Sequence, residues 1–211
     1  MRIFDITLPL SDKTPVWEGD EPVKIQQTLT ISDHSDFNVS RVNFGVHSGT
    51  HIDAPLHTCK AGISTDQISL EKLIGQAHVL KIDDSIDVIT KESILKAGFK
   101  KGTKRLLLKT RNTEYWTSNP SQFTRDFAAI NENAASFLVE QDVWLIGIDY
   151  FSISPINNLV LPHQILLDKK IVILENAYLV NVDPGIYDLI CLPMNLVGTD
   201  GAPVRAVLIK L

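Results

Sequence analysis

Cysteine is scarce in this 211-residue chain, and the two present, Cys59 and Cys191, stand far apart. That excludes a disulfide framework and a paired-thiolate metal site, and it suits a reducing compartment. No apolar run approaches the length of a membrane span, and Met1-Arg2-Ile3-Phe4-Asp5 lacks both a hydrophobic signal core and a cleavage site, so cytoplasmic residence is expected. Basic clusters are equally scarce. The net charge is -5, and only Lys100-Lys101 and Lys104-Arg105 gather positive charge, which reads as a solvated loop. Phosphate neutralisation needs a basic face, so neither nucleic acid nor a membrane is expected as a partner, and a small-molecule substrate is. No repeats or low-complexity segments break the chain. At 44% hydrophobic and 21% charged, residues 1–211 are long enough to bury one core as a single soluble domain.

Alternating or continuous apolar patterning predicts strands over residues 2–7, 23–30, 38–47, 77–82, 105–110, 143–148, 171–174 and 204–209. Thr90 before residues 91–97, closed by Gly98, has the cap and stop of a helix, and Asn131 caps a second over residues 132–140. The expected class is α/β: β-rich mixed sheets, much of the pairing antiparallel, with a few helices.

One stretch carries most of the chemistry. Residues 47–57 read His-Ser-Gly-Thr-His-Ile-Asp-Ala-Pro-Leu-His, placing three of the six histidines and a carboxylate within eleven residues. Imidazole and carboxylate together suit zinc, and also manganese or iron. His47 and His51 have the spacing of two ligands one helical turn apart. Gly49 between them, the missing glutamate after His47, and Pro55 argue against a helix. A strand through Val42, Phe44 and Val46 that reaches a bend at Ser48-Gly49 is the better reading. Ala54 is pushed towards extended geometry by Pro55, and in an extended segment His51 and Asp53 share one face. Packing alone gives no reason for this cluster, because buried imidazoles and carboxylates are costly without partners. His34 and His78 are isolated from such groups and read as ordinary surface or core histidines. Cys59, near His57, invites a nucleophile reading, which the adjacent metal ligands make the weaker one.

The eleven-residue motif resembles the His-x-Gly-Thr-His-x-Asp-x-Pro-x-His signature of the metal-dependent cyclase/hydrolase family, which includes bacterial kynurenine formamidases (arylformamidases). The resemblance extends to Phe4-Asp5-Ile6-Thr7, Trp17-Glu18-Gly19-Asp20, Gly147-Ile148-Asp149, His163 with Leu166-Leu167, Glu175, and Gly198 to Arg205. It implies that His47, His51 and Asp53 bind one metal and that His163 and Glu175 complete a two-metal site, bridged by Asp53 and Glu175. It further implies His57 as general acid/base, Trp17 as a substrate-pocket wall, a swivelling β/β/α-type fold, and a homodimer or larger assembly. Two divalent ions, Zn2+ or alternatively Mn2+, would then support hydrolysis of N-formyl-L-kynurenine to L-kynurenine and formate in tryptophan catabolism. Glu175 closes the apolar run Ile171-Val172-Ile173-Leu174, where a charge is unwelcome unless something pairs with it.

Two departures bear on specificity. The family's formamidases show Trp-Pro-Gly-Asp where this chain has Glu18, and Ser-x-Asp where it has Ser152-Ile153-Ser154. Neither removes a ligand, so the family's chemistry transfers more safely than its substrate. Two rivals follow: a hydrolase of another small or cyclic amide, and a non-catalytic metal-holding protein. An unliganded His57 beside the metals counts against the second.

Overall fold

The computed structural model describes residues 1–210. In chain order its strands are β1 (Arg2–Asp5), β2 (Lys24–Leu29), β3 (Val39–Asn43), β4 (His51–Asp53), β5 (Ile74–Lys81), β6 (Val88–Ile89), β7 (Arg105–Lys109), β8 (Ala129–Ile130), β9 (Leu145–Ile148), β10 (Val172–Glu175), β11 (Gly185–Pro193) and β12 (Gly201–Lys210). The helices are α1 (Lys91–Lys96), α2 (Tyr115–Ser118), α3 (Glu132–Glu140) and α4 (Val160–Leu167).

Eight strands form one mixed sheet in the order β1-β12-β11-β5-β7-β9-β10-β4, and β4 also pairs with β12, so the sheet curls back on itself like a barrel. Strands β5, β7, β9 and β10 run parallel, and the remaining pairings of this sheet are antiparallel. This is the mixed α/β class expected. Side-chain alternation then fills two cores. Ile52, Val79, Leu107, Leu145, Leu174 and Leu189 pack inside the curl. Leu106, Leu108, Ile146 and Ile173 face outward, where α1, α3 and α4 cover them with Ile94, Leu138 and Leu166. Parallel strands buried on both faces read as continuous apolar runs, which is why Leu106-Leu107-Leu108 shows no alternation.

Helices α1 and α3 begin where capping places them, with Thr90 Oγ1 accepting from Ser93 N and the Asn131 side chain accepting from Ala134 N. The strand expected over residues 38–47 stops at Asn43. Beyond it Ser48 N donates to Gly45 O, so Val46 and His47 belong to a turn. Its pairing partner is β2, in a separate two-stranded ribbon exposed along its whole length.

Candidate metal centre and active site

The candidate site lies beyond the carboxyl ends of β9 and β10, where α/β sheets commonly place their ligands. Strand β4 supplies its floor. With Ile52 turned into the core, His51 and Asp53 share the opposite face, as their two-residue spacing predicts, and both are buried. Antiparallel pairing sets Glu175 of β10 directly opposite His51. Pro162 falls in the first turn of α4, where a missing N–H breaks no helical bond, and His163 follows it into the site. The structure thus brings together all five ligand residues expected from sequence, although they lie as far apart as positions 47 and 175.

Hydrogen bonds fix which imidazole nitrogen faces the carboxylates. His51 Nδ1 lies 2.8 Å from the Gly49 carbonyl, which can only accept, so Nδ1 carries the proton and Nε2 points inward. There it sits 3.5 Å from Asp53 Oδ1 and 3.4 Å from Glu175 Oε2. His163 repeats the device. Its Nδ1 lies 2.7 Å from the Leu159 carbonyl and 2.6 Å from Ser154 Oγ, leaving Nε2 3.2 Å from Glu175 Oε1 and 3.7 Å from Asp53 Oδ2. His47 meets a carboxylate at each nitrogen, Asp53 Oδ1 and Asp200 Oδ2, both at 2.9 Å.

Glycines make room for this arrangement. A Cβ on Gly201 would stand 2.6 Å from the His47 ring, and Gly49 holds a φ of +63°. Asn176, in the left-handed region at φ 55°, donates through Nδ2 to the same Gly49 carbonyl that orients His51. Its own carbonyl accepts from Thr50 Oγ1 at 2.7 Å.

Neutral inward-facing nitrogens and carboxylate oxygens would repel one another, so the cluster demands positive charge at its centre. The protonation pattern expresses that demand. Burial alone would lower the His51 pKa, yet Asp53 and Glu175 push it up to about 10. Burial likewise opposes the upward shifts of His47 and His163, which their carboxylate partners override. Asp53 is held well below the usual carboxylate range by His47 and His51 against its own desolvation. Glu175 is lowered by His163 and His51 against both burial and the neighbouring Asp53 charge. Asp53 Oδ2 is buried and without a hydrogen-bond partner. An orphaned carboxylate oxygen among inward-facing imidazoles fits a divalent cation. Two ligand-competent groups share Asp53: His51, Asp53 and Glu175, and His47, Asp53 and His57. The second differs from the set expected from sequence, since it pairs His57 with His47 where His51 was expected.

Sequence reasoning passed over Asp200 as a site residue. Its Oδ2 contacts both His47 Nε2 and, at 3.2 Å, His57 Nδ1. A signal existed in Gly198-Thr199-Asp200-Gly201, but that stretch reads equally as a turn. Asp149 shows the converse. It is fully buried and accepts from Thr110 N and Oγ1, serving the 110–113 turn and standing apart from the cluster. His34 is exposed and His78 half-buried, both outside the site.

Above the cluster opens a cavity of about 410 Å³ lined by Trp17, Phe151, Leu159 and Val160 on its apolar side and by His47, His51, His57, His163 and Glu175 at its base. Trp17 therefore stands where a pocket wall was expected, braced edge-on by Phe123 at 5.0 Å. Glu18 turns away, 65% exposed and ion-paired with Arg125.

The Cyclase family matches residues 4–155. The chain is 36% identical to a kynurenine formamidase of Salinibacter ruber across 99% of this chain and 97% of the relative. It is 35% identical to cyclase-like protein 3 of Oryza sativa subsp. japonica, across 99% of this chain and 80% of that one. Among solved structures, a potential metal-dependent hydrolase with cyclase activity superposes with a TM-score of 0.84 at 31% identity, covering 98% of this chain and 96% of the other. An isatin hydrolase A from Labrenzia aggregata shares the fold, with a TM-score of 0.85 at 19% identity over 100% and 94% of the two chains. The chain belongs to the Cyclase family and is a metal-dependent hydrolase within it.

Proposed function

We propose that this hydrolase cleaves an aryl formamide, N-formyl-L-kynurenine, to L-kynurenine and formate. The observation that carries the reading is the cavity itself, in which the indole of Trp17 and the ring of Phe151 face a base of five histidine and glutamate side chains. A flat aromatic ring stacks on such a wall. His47, His51, Asp53, His163 and Glu175 would hold the metal, as two ions of zinc or, alternatively, manganese. A divalent cation bound there supplies an activated water and polarises the carbonyl under attack. His57 delivers the proton that the departing aniline nitrogen needs, a role open to an imidazole that lines the cavity beside the cluster. Asp200 takes its Nδ1 and leaves Nε2 for the substrate.

The assembly we propose is a homodimer, for which the β2–β3 ribbon offers exposed apolar side chains: Ile25 and Val42, paired across the ribbon, are 46% and 53% exposed. Two unpaired cysteines suit the cytosol as its location. No helix among the described residues is long and apolar enough to cross a membrane.

The test strips the protein with a chelator, reloads it with zinc or manganese, and assays N-formylkynurenine, formanilide and a panel of cyclic amides. Metal-dependent release of kynurenine is the expected outcome. Hydrolysis confined to cyclic amides would overturn the reading.

A further inference from the structure

The turn at residues 17–20 carries two exposed carboxylates, of which Asp20 alone lines the cavity. It closes with Asp20 N donating to Trp17 O at 3.0 Å, and Gly19 passes through φ +96°. Glu18 leaves towards solvent and is neutralised by Arg125. Asp20 instead lines the cavity beside Trp17, and among the described residues its carboxylate has no ion-pair or hydrogen-bond partner. No lysine or arginine lines the cavity. Thr58, which follows His57 into the lining, has a buried Oγ1 without a partner.

These groups make the cavity bipolar. Its base needs a divalent cation and therefore turns positive towards a bound carbonyl. Away from the base, the side arm of a ligand meets the Asp20 carboxylate, the hydroxyl residues Thr58 and Ser152, and apolar walls. An ammonium there gains a counter-charge. A carboxylate there meets a like charge with no lysine or arginine to offset it.

We propose that Asp20 makes this site select aryl amides bearing a cationic side arm over those bearing an anionic one. The inference rests on the aryl formamide reading and sharpens it: the amino group of the substrate, rather than its carboxylate, is what the protein recognises. Two unit charges several ångströms apart, at an effective dielectric between protein surface and bulk water, give a preference of roughly tenfold.

The experiment uses three compounds with one formanilide core: formanilide itself, N-formylkynuramine with an ammonium arm, and 4-(2-formamidophenyl)-4-oxobutanoate with a carboxylate arm. Metal-loaded wild type should show kcat/KM about tenfold higher for the amine than for the carboxylate, with the ratio shrinking as salt rises. Asp20→Asn should collapse that ratio, and Glu18→Gln should leave it in place. Formanilide normalises each variant, since general damage to the fold lowers all three rates together. A carboxylate that matches the amine in wild type, or a ratio that survives in Asp20→Asn, would overturn the proposal.

If none of the three compounds is hydrolysed, the formamidase reading fails, and the charge preference is then decided by binding alone. Calorimetry with kynuramine and 4-(2-aminophenyl)-4-oxobutanoate requires no turnover. Tighter binding of the amine, lost in Asp20→Asn, upholds the preference, and equal affinities refute it.

Discussion

Removing the metal should load the site with protons, and putting it back should expel them. The His51 imidazole is pushed up to about 10 by Asp53 and Glu175 when no cation neutralises them, so at pH 7 its inward-facing Nε2 is protonated. A metal can take that nitrogen only by displacing the proton. Over the roughly three units between pH 7 and the shifted pKa, displacement costs on the order of 4 kcal/mol, or about a thousandfold in apparent affinity. His47 and His163 are shifted in the same direction, so at least one proton leaves per binding event. Between pH 6 and 8 the apparent Kd should therefore tighten at least about tenfold per pH unit. Stability carries the matching signature. A folded-state pKa raised from 6.5 to about 10 stabilises the metal-free protein fully below pH 6.5, and this contribution is lost as pH rises through 10. Chelator-competition titrations at pH 6, 7 and 8, with calorimetry in two buffers of different protonation enthalpy, measure both affinity and proton count. A pH-independent Kd with no proton release would show that these nitrogens do not face the metal, and the ligand assignment would fall.

Three substitutions probe the groups around that centre. His57→Ala should lower kcat by roughly 10²–10⁴ while metal content stays near wild type; metal loss would instead make His57 a ligand alongside His47 and Asp53. Trp17→Ala should weaken kcat/KM for aryl formamides by roughly two- to tenfold more than for aliphatic ones, and an equal loss for both would remove Trp17 as an aromatic wall. Asn176→Gly keeps the left-handed backbone but gives up the Nδ2 bond to Gly49, costing about 0.5–1.5 kcal/mol. Asn176→Ala adds about 1–2 kcal/mol of backbone strain, so its Tm should lie below that of the Gly variant by about 2–8 °C. Equal Tm values would mean that the conformation at residue 176 stores no such strain.

What the sequence made legible was local. His51 and Asp53 could be placed on one face because extended backbone alternates, and Thr90 and Asn131 marked helix starts because their side chains bond within the next turn. Strand β11 escaped notice for a physical reason. Tyr187, Leu189 and Cys191 point inward, but Ile186, Ile190 and Leu192 on the outer face are also apolar, which erases the alternation. Helix α4 was hidden as well, by Pro162 in its first turn and by Val160 and Leu161, which the fold leaves exposed. Asp200 reaches His57 across 143 positions because β12 pairs with β4, and no periodicity within either segment encodes that meeting.

Ser154 shows how far a departure from the family's pattern can alter the site without removing a ligand. It is fully buried, and its Oγ shares the Nδ1 proton of His163 with the Leu159 carbonyl. A hydroxyl in this place orients the ring as a carboxylate would, yet adds no third negative charge beside Asp53 and Glu175. Orientation and charge are thereby separated. His163 keeps Nε2 aimed at Glu175 and Asp53 and, as the ligand we propose, would be a weaker electron donor than an imidazole backed by an aspartate. A metal held through that weaker donor would be less neutralised by its ligands and would polarise a carbonyl more strongly, at some cost in affinity. In the proposed site the departure at Ser154 would thus act on the strength of the chemistry, whereas Asp20 in the turn at residues 17–20 would act on which substrate is accepted.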